Sequence, residues 1–276
     1  SGAMSAAKFL DVKFIQEVVA CKRAVEKYIP KTDVVIELGG EDAKIIYFGK
    51  SIEQRMNGTC AGGTGAFIDQ MASLLNTDPS GLNELAKNYK TIYPIASRCG
   101  VFAKTDIQPL INDGAKKEDI AASIFQAVVN QTISGLACGR PIRGNIAFLG
   151  GPLNYLSELR KRFVETLRLT PDETIVPENA HLLVAKGAAL SSVDMKEISN
   201  DELNEKIINL KSSHDLSSKS LEPLFKTKKD YEDFKKRHDS DKVKRRDFKS
   251  FEGDCFVGID AGSTTTKLVV TDIDDN

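Results

Sequence analysis

The segment Asp33-Val34-Val35-Ile36-Glu37-Leu38-Gly39-Gly40-Glu41-Asp42 constrains this chain more than any other. Consecutive β-branched residues are stiff at χ1 and fit a pleated surface better than a helix. The run reaches an acid and two glycines, and Ala43-Lys44-Ile45-Ile46-Tyr47-Phe48 then resumes the same apolar, β-rich character. Two such runs separated by a short glycine-bearing segment read as an antiparallel hairpin, here with its turn at Gly39-Gly40-Glu41-Asp42.

The remaining pattern places helices and strands around that hairpin. Phe14, Ile15, Val18, Val19, Ala20, Val25 and Tyr28 recur at roughly helical spacing, so a helix is expected over 8–29, ended by Pro30. Met56 to Thr64 reads as a loop, and Gly65 to Leu75 as a helix. A longer helix is expected over 116–138, with Asp119 near its start. Asn145 to Leu149 reads as a buried strand that stops at Gly150-Gly151-Pro152, followed by a helix to about Leu167. A short strand at Thr174-Ile175-Val176 and an Ala/Leu-rich helix from Ala180 to Ser191 complete this part. Strands alternating with helices indicate an α/β domain. From about residue 195 the composition changes: 196–250 is rich in Lys, Asp, Glu and Ser and poor in large apolar residues. That composition suits a solvated linker, partly helical or disordered. Its basic residues are interleaved with acidic ones and lack an aromatic platform, so it does not read as a nucleic-acid surface. A further strand, Cys255 to Asp260, then turns through Ala261–Thr266 into a strand at Lys267–Thr271.

Global charge adds little. A net charge of −1 points to neither nucleic acid nor an anionic membrane. No apolar run reaches the about 18 residues of a spanning helix, so no membrane association is expected. Ser1-Gly2-Ala3-Met4 reads as a cloning scar, which suggests an excised piece of a longer protein. The five cysteines, Cys21, Cys60, Cys99, Cys138 and Cys255, are odd in number and far apart, so they do not form a disulfide framework, and a reducing cytoplasm is expected. There is no Cys-x-x-Cys, and His181, His214 and His238 have no zinc-type spacing. A metal site would have to draw on cysteines distant in sequence or shared between chains.

Several segments carry potential chemistry. In Gly258-Ile259-Asp260-Ala261-Gly262-Ser263-Thr264-Thr265-Thr266-Lys267, Gly262 permits a positive φ, and the turn presents N–H groups with the hydroxyls of Ser263, Thr264 and Thr265 to an anion. Asp260 can hold Mg²⁺ through water, and Lys267 can balance phosphate charge. The first hairpin repeats the pattern: Gly39 and Gly40 allow close approach of a ligand, and Glu37 or Asp42 can hold a metal-bound or attacking water. The end of the Phe148-Leu149-Gly150-Gly151-Pro152 strand suits contact with a nucleotide's sugar or base. In Asn57-Gly58-Thr59-Cys60-Ala61-Gly62-Gly63-Thr64-Gly65-Ala66-Phe67, a cysteine and a glycine loop open a helix, and helix N-termini favour anions and thiolates. Cys99 sits in a second small-residue segment, Ala96-Ser97-Arg98-Cys99-Gly100-Val101-Phe102. Each segment taken singly is also compatible with an ordinary polar turn or a buried structural cysteine.

Together, the two strand–acid–glycine hairpins and the Gly-Gly strand end resemble the two phosphate motifs and the adenosine motif of the actin, Hsp70 and sugar-kinase superfamily, whose fold is ribonuclease H-like. With Cys60 and Cys99 added, the set resembles the BadF/BadG/BcrA/BcrD-type ATPases, which include activators of 2-hydroxyacyl-CoA dehydratases. The resemblance implies ATP/ADP and Mg²⁺ binding through Gly39, Gly40, Asp42, Gly62, Gly63, Thr64, Gly65, Gly150, Gly151, Gly262, Ser263, Thr264, Thr265 and Lys267. It gives catalytic parts to Glu37 and Asp260. It also implies a homodimer in which Cys60 and Cys99 of each chain ligate one [4Fe–4S] cluster on the two-fold axis. The partners implied are an acyl-CoA dehydratase or reductase and an electron donor such as ferredoxin or flavodoxin, with ATP hydrolysis driving low-potential electron transfer. A sugar- or acetate-kinase-like phosphotransferase and a chaperone-like reactivating ATPase, both without a cluster, are the alternatives.

One departure stands out: the first phosphate hairpin of the family comes last here. The large two-repeat members of the family explain it most simply. Residues 1–4 would be the scar, 5–195 the later half of one repeat, 196–250 a charged linker, and 251–276 the opening hairpin of the next repeat. On that reading no complete nucleotide site exists within the chain, and it would hydrolyse ATP poorly alone.

Overall fold

A computed structural model describes residues 2–49, 51–58, 62–96, 100–193, 195, 197–212, 222–242, 245, 247, 249–262 and 265–272. In chain order the elements are α1 (Gly2–Phe9), α2 (Glu17–Tyr28), β1 (Val34–Leu38), β2 (Ala43–Tyr47), β3 (Glu53–Met56), α3 (Gly65–Leu74), α4 (Pro79–Ala86), α5 (Gly100–Asn112), α6 (Lys117–Gln131), β4 (Ile146–Leu149), α7 (Gly151–Tyr155), α8 (Ser157–Leu167), β5 (Thr174–Ile175), α9 (Leu183–Leu190), α10 (Asn200–Ser212), α11 (Lys228–Asp239), β6 (Phe256–Ala261) and β7 (Thr266–Thr271). A π-helical turn, Thr132–Ala137, prolongs α6. The chain divides into two compact units, 13–197 on the one hand and 1–12 with 198–276 on the other.

The 13–197 unit is built on a five-stranded sheet of order β3-β2-β1-β4-β5. The strands β1, β2 and β3 form an antiparallel meander, and β4 and β5 add parallel to β1. Strand alternation assigns the two faces. Val34, Ile36, Leu38, Ile45, Ile146 and Phe148 point into the larger core, with α3, α4, α6 and α8 packed over them. Val35, Ile46, Ala147 and Leu149 point to the smaller core, covered by Cys21, Ala24 and Val25 of α2 and by Leu183 of α9. Both faces are covered, so β4 reads as apolar throughout and β1 as apolar except at Glu37.

Three expectations change. The helix expected over 8–29 is two helices, because Asp11 adopts a left-handed conformation (φ 50°) and Gln16 is extended before α2. The strand β3 and the helices α4 and α5 were not expected. The helical stretch Lys117–Ala137 is long and apolar enough to cross a membrane by length and composition, contrary to the sequence reading, but 67% of its apolar window is buried in this unit's core.

In the other unit, α10 and α11 supply the helical part of the charged region. A capping box joins Thr227 and Asp230 at the start of α11. The strands β6 and β7 form a two-stranded ribbon whose apolar residues Phe256, Val257, Ile259, Leu268 and Val269 are exposed.

Candidate functional site

The hairpin turn closes as the sequence indicates. The Gly39 N–H donates to the Asp42 carbonyl at 2.7 Å, and Leu38 pairs with Ala43. The Gly65 and Ala66 N–H groups at the start of α3 donate to the carbonyls of Gly39 and Gly40, at 2.9 and 2.7 Å. These two amides are therefore committed to the hairpin rather than free for an anion. They tie the loop that follows Cys60 to the turn. The fit is close: a Cβ on Gly65 would lie 3.2 Å from both the Gly39 oxygen and the Gly40 Cα.

The β4 strand brings up the third glycine segment. Gly150 has φ 89°, and a Cβ there would fall 2.0 Å from the Leu38 carbonyl oxygen. Only glycine lets β4 leave the sheet this close to the end of β1. The chain then enters α7 at Gly151-Pro152.

These segments wall one cleft of about 680 Å³. Gly40, Glu41, Gly65 and Ala66 form one side, Gly151, Pro152, Tyr155 and Leu156 another, and Ile68 and Asp69 with Asp78-Pro79-Ser80 at the α4 start the third. The volume suits a ligand of drug or nucleotide size. The Tyr155 hydroxyl lies 3.1 Å from His181 Nε2, and their rings sit 5.1 Å apart. That contact holds an otherwise exposed aromatic ring at the cleft wall.

The other expected site residues lie elsewhere. Gly62, Gly63 and Thr64 are buried, and a Cβ on Gly63 would press on Gln131 at 3.1 Å. Asp42 is exposed on the turn. Glu37 is on the α2 face of the sheet, the face opposite Ile36 and Leu38, and its Oε2 is buried without a hydrogen-bond partner. Burial pushes its carboxyl up; Lys44 opposes that, while Glu17 and Asp42 add to it. Asp260, Gly262, Thr265 and Lys267 belong to the β6–β7 ribbon of the other unit. Ser263, Thr264, Cys60 and Cys99 lie outside the described residues. Among the described residues no cluster of three or more His, Cys, Asp or Glu is placed to hold a metal ion. Sequence reasoning missed Tyr155, Glu41, Asp69 and the α4 start. Only the last had a local signal: Asp78 before Pro79 is an N-cap followed by proline, and Asp78 Oδ1 accepts the Gly81 N–H at 2.7 Å.

A mixed sheet of this order, with a glycine-walled cleft at the carboxyl ends of β1 and β4, defines an actin-like α/β ATPase fold. The BadF/BadG/BcrA/BcrD ATPase family matches residues 2–192, and the chain belongs to that family. A 2-hydroxyisocaproyl-CoA dehydratase activator from Clostridioides difficile is 33% identical over 194 residues, covering 69% of this chain and 71% of its own. The (R)-2-hydroxyglutaryl-CoA dehydratase activating ATPase of Acidaminococcus fermentans is 38% identical over 125 residues, covering 44% of this chain and 47% of its own. Among solved structures, the C. difficile activator with bound ADPNP superposes with a TM-score of 0.57 at 29% identity, over 74% of this chain and 72% of that one. The A. fermentans dehydratase component A superposes with a TM-score of 0.61 at 30% identity, over 68% and 71%.

Proposed function

We propose that this protein is an ATP-dependent activator that couples ATP hydrolysis to low-potential electron transfer into a 2-hydroxyacyl-CoA dehydratase or a related reductase. The observation that carries this reading is the pair of hydrogen bonds from Gly65 and Ala66 to the carbonyls of Gly39 and Gly40. They make the nucleotide-facing turn and the loop after Cys60 one mechanical piece. A γ-phosphate that shifts the turn then shifts the loop, a population change of the kind nucleotide switches use.

In this reading Gly40, Gly65 and Gly151 admit the nucleotide and Tyr155 and Pro152 flank its base, while Glu37, one residue short of the carboxyl end of β1 but on the sheet face away from the α3–α4 wall of the cleft, would reach Mg²⁺-held or attacking water only from the other side of the turn. Asp260 and the β6–β7 turn belong to the companion phosphate motif. The proposed domain division is 5–195 as the later half of one repeat, 196–250 as a charged linker and 251–276 as the opening of the next, although residues 5–12 group with 198–276 in the structure; on that division ATP turnover by the isolated chain is expected to be slow.

Cys60 and Cys99 of two chains would hold a [4Fe–4S] cluster on the two-fold axis of a homodimer. When bound, that cluster supplies a one-electron carrier, reduced by a ferredoxin- or flavodoxin-type donor. The flanks of the two cysteines fit such a site. Gly100, next to Cys99, packs on α3, which the Cys60 loop opens: a Cβ at Gly100 would lie 3.0 Å from Gln70 Oε1 and 4.0 Å from Phe67 Cδ2. Val101 and Phe102, the next two residues, are 70% and 65% exposed, an apolar surface that a second copy would cover.

Iron and sulfide analysis of anaerobically purified chain tests this, with Cys60→Ala and Cys99→Ala as controls. The expected result is a brown dimer with one cluster per two chains, lost in both variants. A colourless protein that still binds nucleotide overturns the electron-transfer reading.

A further inference from the structure

Both hairpins carry the same cross-strand pair. Glu37 is directly opposite Lys44, and Asp260 is directly opposite Lys267. In each hairpin the acid is the penultimate residue of the first strand, and the lysine is the second residue of the return strand. Both turns close alike: Gly39 N–H donates to the Asp42 carbonyl at 2.7 Å, and Gly262 N–H to the Thr265 carbonyl at 3.0 Å. Directly opposed residues of antiparallel strands project to one face, so each lysine lies alongside its acid.

The two pairs differ in surroundings. On the ribbon, Lys267 Nζ is 3.5 Å from Asp260 Oδ2, and both side chains are 72% exposed. In the 13–197 unit the pair is buried, with Glu37 7% and Lys44 3% exposed. Lys44 Nζ hydrogen-bonds Glu17 Oε1 at 2.9 Å and lies 4.0 Å from Asp42 Oδ2. The charged and titratable groups facing Glu37 are thus Lys44 on β2, Asp42 on the turn, and Glu17 and Cys21 on α2. Burying an ammonium is costly, and apolar residues of similar volume commonly replace buried ion pairs without loss of stability. A lysine at this position therefore needs a reason beyond packing; its hydrogen bond goes to Glu17, no ion pair within 4 Å joins it to Glu37 among the described residues, and Glu37, directly across the strand pair, keeps an Oε2 without a hydrogen-bond partner, so the two groups couple through charge across the pair rather than through a direct bond.

We infer that Lys44 is the positioning residue for Glu37, supplying the counter-charge that fixes the carboxylate beneath the phosphate turn while Glu17 anchors it from α2, and that Lys267 serves Asp260 in the same way. This rests on the proposed role of Glu37. The ionisation directions agree with the geometry. Burial alone pushes Lys44 down, yet Glu37, the Glu17 hydrogen bond and Asp42 leave it raised.

The test is a carboxyl-¹³C titration of the glutamate-labelled full chain, with the Glu37 signal identified by its loss in Glu37→Gln. In Lys44→Met the Glu37 midpoint is expected to climb by about one to three pH units. Lys44→Arg restores it towards the wild-type value. Glu17→Gln keeps an acceptor for Lys44 Nζ but removes a competing acid, so there the midpoint falls. An unmoved midpoint in folded Lys44→Met overturns the inference. If that variant does not fold, an unmoved midpoint in Glu17→Gln does so. No nucleotide enters the measurement, so failure of the wild-type chain to bind a non-hydrolysable ATP analogue would sink the proposed function and leave this result standing.

Discussion

Replacing Gly150 with alanine strikes the junction of the sheet and the cleft. Its φ of 89° lies where non-glycine residues are strained, at a cost of about 1–3 kcal/mol. The added Cβ would also sit 2.0 Å from the Leu38 oxygen and 2.8 Å from its carbonyl carbon. A carbon–oxygen contact relaxes at about 3.3 Å, so β1 and β4 must part by roughly 1.3 Å. That strains the parallel ladder at the Glu37–Leu149 pair, where each lost hydrogen bond contributes about 1 kcal/mol. The combined loss is about 3–5 kcal/mol, a large share of the about 5–15 kcal/mol that holds a domain together. Gly151→Ala is the matched control. Nothing lies within 4 Å of its added Cβ, and it opens α7, where alanine is the better helix former. Urea unfolding of both variants, followed by far-UV circular dichroism, should show a large drop for Gly150→Ala and a change within about 1 kcal/mol for Gly151→Ala. Gly151→Ala should still weaken binding of an ATP analogue, because its methyl enters the cleft. Equal stability of the two variants would refute the close-approach reasoning.

Other changes probe other contacts. Gly187→Ala should destabilise the 13–197 unit as severely as Gly150→Ala, since its Cβ would fall 1.8 Å from the Ala20 oxygen and force α9 off α2; an unchanged thermal midpoint would contradict this. Tyr155→Ala should weaken binding of an ATP analogue while leaving binding of inorganic triphosphate unchanged, as isothermal titration would show. The N–H groups of Lys90 and Thr91, at 2.6 and 3.0 Å, hold the Asp119 carboxyl below its usual range. Its contribution to stability is therefore complete above the ordinary carboxylate value of about 3.9 and is lost as pH falls through the depressed one; Asp119→Asn should flatten the acid limb of a stability–pH curve. Burial first, then Glu37 and Glu17, pushes the Cys21 thiol up to about 12. Its contribution persists below the ordinary thiol value of about 8.5 and fades as pH rises towards the raised one. Mass-mapped alkylation near neutral pH should label the exposed Cys138 and Cys255 and spare Cys21.

What the sequence revealed were features written in a few adjacent residues. The β1–β2 hairpin, its turn, β4 and α3 were legible because β-branched runs and glycines carry their own conformational preference. The strand β3 was not, because Glu53-Gln54-Arg55-Met56 has no apolar alternation. Its place comes from pairing with β2 and from contacts Glu53 makes with Arg55 and Arg140, which stacks on Tyr47. The helix α5 holds Pro109 in its interior, a residue that argues against a helix on local grounds. At the site, the glycines announced the cleft, whereas Tyr155 needed α7 to turn it towards its wall. The burial of Lys44 was equally hidden, since it depends on α2 lying across a strand distant in the chain.

The β6–β7 ribbon has a practical consequence. Two strands with greasy residues on both sides and open rims are marginal in water unless something clads them. Such a ribbon is sticky: self-association should rise with protein concentration, limited proteolysis should nick it before the sheet of the other unit, and a surfactant or a cladding domain should restore monodispersity.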